Sequence, residues 1–514
     1  MILAVLKKYL SQSILPTIVI TIIFFVNYFI FGMENITIGV FATMSFLHFK
    51  DQTDFSGSMI KTLIIYIAIA VISYFAVMNI VLCILLNGLV FFWIGYSFMD
   101  EYQPDGYYPP GLALIFFQNF RAEGLDGLLN RFAAILASFI ILFLFLIIIG
   151  AFKKEDPLKK FTREGISLCK EIISIIEAGD NVGLEIKQKN LFKINRKISS
   201  EIYMANRNSI RSKVSANQYC IYVAFFQIVY LFINEQISDT KTHEESEDTP
   251  FYNDLEMIKN MTANFEAALQ ADIALTDNRR LYLRIKKLDI RSFRLRFALR
   301  TGIVLTVCLA FAYVTSWANI YWLPIAVFFT MLPIYDNVEK RVAARVKGTI
   351  AGILACAVLF PVFNDFASRV IILTIANFFI YTLKNDTLLM MNITCACLAM
   401  DLASMPVIML ARVFGYNIFG AAITYTGNRF VFPIRITKEV EYIMKLLDDI
   451  RETIPGFKGM ERNGQKYQTN RLILLSYLLG SRLEVYSNTL KLRQTGTDFS
   501  EYMKRHMITI TRYL

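Results

Sequence analysis

The chain has 514 residues, of which 55% are hydrophobic, 14% aromatic and only 18% charged, and its formal net charge is +11. A soluble domain carries about 25% charged residues, so this balance excludes an ordinary soluble globular protein and points to one embedded in a bilayer. The positive excess clusters beside apolar runs, as anionic lipid and the positive-inside rule require, which argues against nucleic acid as a partner.

A hydrocarbon core of about 30 Å takes about 20 helical residues, and that length divides the chain into elements. Tyr9 to Met33, behind Lys7 and Lys8, suits one crossing; it is too long for a signal-peptide core and has no small-residue cleavage site, so it reads as a retained first span. Ile36 to Leu47 follows, and Thr62 to Met99 must break near Met78 and Asn79. Tyr107 to Gln118, "YYPPGLALIFFQ", is too short to span comfortably, whereas Phe132 to Phe152 suits one crossing. Residues 1–152 thus form a first transmembrane half of about six segments.

Residues 153–296 are charged and helix-patterned. Asp156 before Pro157 reads as an N-cap with proline in the first turn, and the acidic Ser238 to Pro250 as a linker. Val214 to Asn234 is free of charge; as a thirteenth crossing it would invert the second half and put the Arg291 to Arg300 cluster outside, so a buried helix of a cytosolic bundle is preferred. Residues 297–428 form the second half. There Thr301 to Tyr335 is too long for one crossing and must turn at "SWANIYW", and Thr387 to Met400, bounded by Asp386 and Asp401, is again short. Residues 429–514 are a second charged helical tail.

The halves resemble one another: Ile36 to Leu47 follows the first span as Tyr321 to Leu332 follows the seventh, and "LLNRFAAILASFI" resembles "MLARVFGYNIFGAAI" before the last span of each half. The expected fold is an all-α integral membrane protein of two six-helix transmembrane halves, related as an internal parallel repeat, with cytosolic helical regions. Apart from Arg121, Arg131 and Arg412, the lysine and arginine clusters fall on one face, which places both termini in the cytoplasm of a cell-membrane protein. Arg131 and Arg412 fall outside that count, each before the last span of its half.

Chemistry concentrates around "EKRVAARVKGTIAGILACAVLF". Ala344, Gly348, Gly352 and Cys356 recur every four residues, a stripe that lets a second helix approach closely. Arg341, Arg345 and Lys347 stand at its mouth, placed to meet lipid phosphates or an incoming anion. Arg412 is a candidate deeper partner for a carboxylate, and Asp401 a candidate proton carrier. Asp365, Arg369, Lys384 and Asp386 read as solvated loop charges; Tyr313, Trp317, Tyr321 and Trp322 read as an interfacial belt before they read as a stacking site. His48 reads as an interface residue, and the seven scattered cysteines show neither a disulfide framework nor a metal spacing. There is no enzyme motif and no nucleotide or cofactor fingerprint, and no metal or cofactor is expected.

"RFALRTG" (Arg296 to Gly302), "YWLP" (Tyr321 to Pro324) and "RVKGTIAG" (Arg345 to Gly352) resemble, in order and spacing, the R-x-x-x-R, Y-W-x-P and R-x-x-G-T-x-x-G pattern of the fusaric acid resistance and aromatic acid exporter family. The first half is degenerate, since "DFSGSMIKTLIIY" lacks the last of these. The resemblance implies proton-driven export of small organic anions, typically aromatic carboxylates; a plant branch of similar proteins conducts malate as a channel. The expected partners are membrane lipid and a small organic anion, with a second copy or an accessory efflux protein as further candidates. A passive anion channel, and a membrane scaffold acting through the cytosolic helices, are the competing expectations.

Overall fold

The computed structural model describes residues 2–50, 55–99, 106–150, 156–178, 183–208, 219–239, 255–271, 292–331, 338–363, 365–382, 385–400, 407–453, 456, 462–491 and 499–511. Every regular element among them is helical. The chain divides into two units, one of residues 1–52, 59–152 and 288–436, the other of 53–58, 153–287 and 437–514.

In chain order, α1 (Ile2–Val26) runs into a π turn (Asn27–Phe31) and stops at Gly32, whose φ of 87° suits a residue without Cβ. A 3-10 turn (Met33–Asn35) leads to α2 (Ile38–Phe49). The long apolar run then forms α3 (Phe55–Ala76) and α4 (Ile80–Phe98), separated where Asn79 caps α4 by accepting from the Leu82 amide at 2.8 Å. Paired prolines open α5 (Tyr108–Asn119), and α6 (Gly124–Ile148) closes the half. In the second unit, α7 (Pro157–Glu177) starts at the Asp156 cap, with the Leu158 amide bonded to the carboxylate at 3.0 Å. It is followed by α8 (Leu184–Asn208), α9 (Tyr219–Asp239) and α10 (Leu255–Gln270). The chain returns to the first unit with α11 (Phe293–Thr315), α12 (Trp322–Thr330), α13 (Val338–Val362), α14 (Phe366–Thr382), α15 (Asp386–Met400) and α16 (Val407–Phe430). It ends in the second with α17 (Ile436–Thr453), α18 (Arg462–Lys491) and α19 (Phe499–Thr511).

Among the described residues each half has six α-helices, yet the expected twelve full crossings are not what the lengths give. Among the described residues, six helices are long and apolar enough to cross: α1 from Ser13 through the π turn, α3, α4, α6, α11, and α13 from Val342. By contrast α2 and α5, at 12 residues, reach about 18 Å, and α12, at 9, about 14 Å. Turn formers limit them: Gly32 before α2, Pro109 and Pro110 in the first turn of α5, and Ser316 and Asn319, both at positive φ, before α12.

The short helices are walled in by the long ones. All nine residues of α12 are buried, and the Phe328 ring occupies the space above Gly111 of α5, where a Cβ would lie 2.2 Å from it. Two seams join the halves. Along α4 and α11 the backbones nearly touch: a Cβ on Gly95 would stand 2.9 Å from Cα of Ala298, and one on Gly302 3.2 Å from the Gly88 carbonyl. Along α1 and α14 contact runs through side chains, with the hydroxyls of Ser13 and Thr382 at 2.7 Å and the rings of Tyr28 and Phe366 at 4.8 Å.

The second unit is a bundle around α9, which touches α7, α8, α18 and α19. Val223, Phe226, Val229 and Phe232 are fully enclosed by it, so the charge-free segment from Tyr219 is the core of a bundle; residues 214–218 and 240–250 lie outside the described set. Several of its buried polar groups pair with one another: Asn195 donates to the Tyr477 hydroxyl at 2.9 Å, Tyr477 donates to Gln227, and Arg482 pairs with Glu439 at 2.7 Å. Breaking one such buried pair costs about 3–5 kcal/mol, because the remaining charge has no solvent.

Candidate functional site: a ring-lined cavity with a buried arginine

Between the halves lies a partly open cavity. Its walls come from α1, α2, α5, α12, α14 and α15, so all three short helices contribute. Rings of Phe24, Phe116, Phe329 and Tyr381 form much of the lining, with the Tyr381 hydroxyl, Thr21, Thr374, Asn377 and Cys397 as its polar groups. Phe329 has a second neighbour. The guanidinium carbon of Arg345 stands 5.6 Å from its ring centroid, a cation–π distance.

Arg345 is completely buried. Taking a guanidinium out of water costs several kcal/mol, so the fold must hold it by other bonds. Asn417 of α16 does this: its Oδ1 accepts from Nε at 3.1 Å and from Nη2 at 3.0 Å, while its own Nδ2 donates to the Val413 carbonyl at 2.8 Å and locks the amide. Nη1 points to the Met390 sulfur at 3.4 Å. The small stripe makes this approach possible, since a Cβ on Gly348 would lie 2.6 Å from both Cβ of Met390 and the Thr387 carbonyl, and one on Gly352 2.8 Å from Cβ of Thr394. Gly348 and Gly352 thus lie against α15.

The other expected site residues are dispersed. Lys347 is exposed on α13, whereas Arg345 two residues earlier is buried. Arg341 belongs to the same helix, but its side chain is outside the described set, and Asp401 is outside it altogether. Arg412 is exposed on α16; five residues before Asn417, it is turned about 140° away from the Arg345 side at 3.6 residues per turn. Arg412 therefore does not join Arg345 in a shared site.

Its expected counterpart Arg131 is buried and bonded mostly to backbone carbonyls. It donates to the Phe117 carbonyl at 3.1 Å and to that of Phe120, closing the C-terminal end of α5, and to Asn35 at 3.2 Å and the Glu34 carbonyl at 3.4 Å. This serves the carbonyls that any helix end leaves without partners. Arg369, expected in a solvated loop, is instead buried in α14 with its guanidinium 4.7 Å over the Phe360 ring, because the helix begins three residues before it. Asp365 does stay at the surface, accepting from the Ser368 amide and hydroxyl; these bonds hold its carboxyl below the usual range. Trp322 is buried, unlike the exposed Trp317.

Residues 307–425 match the family model described as fusaric acid resistance protein-like. The match upholds the resemblance carried by the Y-W-x-P and R-x-x-G-T-x-x-G motifs. Within the fusaric acid resistance protein-like segment lie Phe329, Arg345, Asn377, Cys397 and Asn417, so the second-half wall of the cavity is inside it; the walls from α1, α2 and α5 are not. Together with the six apolar helices, the match marks a multi-pass membrane protein of transporter type. No curated protein and no solved structure matches the chain.

Two features escaped the sequence reading. Asn417 looks like any polar residue in a span, and its pairing with Arg345 bridges 72 positions. The cavity itself is assembled from both halves, and only the shortness of α5 and α15 hinted at it.

Proposed function

We propose that this protein is an inner-membrane exporter of small organic anions, aromatic carboxylates above all, driven by the proton gradient. The observation that supports it best is the position of Phe329, with one side in a ring-lined cavity and a held guanidinium at stacking distance. A flat ring fills the apolar cavity, and a carboxylate on it is drawn toward Arg345 once Phe329 yields. Arg341 and Lys347, at the start of α13, gather anions at the cytosolic mouth. Broken and half-length helices lining a site near the midplane are a recurrent transporter arrangement. The halves act as a repeat in this reading: α1 against α14 and α4 against α11 are equivalent pairings if each half is numbered from its first helix. Both termini and the second unit are cytosolic, and Asp401 is the proton carrier.

The test is uptake of labelled aromatic and aliphatic carboxylates into everted membrane vesicles, with and without an imposed proton gradient. Gradient-dependent uptake of the aromatic class is expected. Arg345→Ala should lower that uptake at least tenfold while the amount of folded protein falls far less; equal losses in both would make Arg345 purely structural and sink its role here. Flux that follows membrane potential and ignores a pH step would replace the exporter by a channel.

A further inference from the structure

Two thiols meet inside the second half. Cys356 of α13 and Cys395 of α15 are both buried, and their side chains are hydrogen-bonded to one another. Cys395 also donates from Sγ to the Gly352 carbonyl at 3.6 Å, one turn before Cys356 on α13. No spacing in the sequence joins these cysteines, because they lie on separate helices that Gly348 and Gly352 let approach. Around them the core is rich in sulfur: Met409 is buried in the same cluster, and Met391 and Cys397 pack against it. Arg369 of α14 brings a buried guanidinium to this core. It stands 4.7 Å over the ring of Phe360, one turn after Cys356, and its charge reaches the Cys356 thiol.

We infer that Cys356 and Cys395 form a two-thiolate site for a soft monovalent cation, copper(I) or silver(I). Binding releases both thiol protons to solvent and sets the ion between the two sulfurs, a complex with one net negative charge. Such a charge is costly in an apolar core unless it is paired, and the Arg369 guanidinium supplies its opposite. Thiolate and thioether ligands select soft ions. Zinc takes about four ligands, and among the described residues no three His, Cys, Asp or Glu side chains gather to hold a metal. Phe24, Ile36, Val370, Leu373 and Ala396 belong both to this core and to the wall of the cavity, which gives an ion its approach. Once bound, it joins α13, which carries Arg345, to α15. The site does not depend on the carriage of an organic anion.

The test loads the purified full-length protein, reduced and kept free of oxygen, with copper(I) and then competes the metal with the chelator bathocuproine disulfonate. Copper should stay bound in equimolar amount, and X-ray absorption at the copper edge should show a pair of sulfur neighbours in line. Excess zinc(II) should not displace it. Cys356→Ser and Cys395→Ser should each weaken retention by about a hundredfold, and Arg369→Gln, which removes the charge, by about tenfold. Cys397→Ser, in the same core, should leave retention unchanged. The wild-type spectrum needs no substitution, so it decides the matter even if a serine variant fails to fold. Loss of all copper from the wild-type chain, or coordination by nitrogen and oxygen, overturns the inference. So does a loss in Cys397→Ser equal to that in the other two serine variants. Unchanged retention in Arg369→Gln overturns the charge pairing and with it the preference for a monovalent ion.

Discussion

Gly348 and Gly415 show how position decides the worth of a residue. A Cβ on Gly348 meets α15 at 2.6 Å, whereas one on Gly415 meets nothing within 4 Å. Gly348→Ala should therefore cost about 1–3 kcal/mol through overpacking, and Gly415→Ala should cost nothing; thermal unfolding of the two variants in detergent distinguishes them. The small stripe was legible because its period of four is written in the sequence. The buried state of Arg345 was not, because a guanidinium beside Lys347 in a basic run looks solvated until Asn417 and Phe329 arrive from elsewhere in the chain. Arg131 was visible only as an apparent twin of Arg412, and the structure separates them. Arg131→Ala should loosen the end of α5, seen as faster hydrogen exchange in residues 116–120, while the same change at Arg412 should leave that segment alone.

At the scale of helices, local signals worked where a break was needed. Asn79, Asp156 with Pro157, and the "SWAN" turn each end or begin a helix through bonds or backbone states that a single residue type favours. Short helices were harder to read, since α2 and α12 are largely apolar and, over their own length, resemble pieces of spans. In the second unit, α18 and α19 meet at His506, whose Nε2 lies 3.0 Å from the Ser476 hydroxyl. Burial lowers its pKa to about 4; the positive charge of Arg451 acts in the same direction and Asp448 against it. A histidine held neutral stabilises the fold fully above its unfolded pKa of about 6.5, and that contribution is lost as pH falls from there toward 4, an amount of roughly 3 kcal/mol. The melting temperature of the full chain should drop across this window, and His506→Gln should flatten the drop.

For the whole molecule, an all-helical chain with membrane-length apolar helices was legible from apolar runs and charge. Which helix of one half meets which helix of the other was not, because such contacts join residues more than a hundred positions apart with no local trace. The two seams differ in kind, and this carries a prediction. If solute moves through the cavity, α1 and α14 must part, whereas the glycine seam of α4 and α11 can stay closed. A disulfide between Ser13→Cys and Thr382→Cys, whose native hydroxyls touch, should stop vesicle uptake, and reductant should restore it. The glycine seam also bears on how the protein is made. Some 195 residues separate the end of α4 at Phe98 from the start of α11 at Phe293. At about 5–20 residues per second, a ribosome needs roughly 10 to 40 s to supply the mate. Throughout that delay the newborn α4 stands in lipid with its notched side unfilled, and the membrane's quality-control proteases have that long to find it.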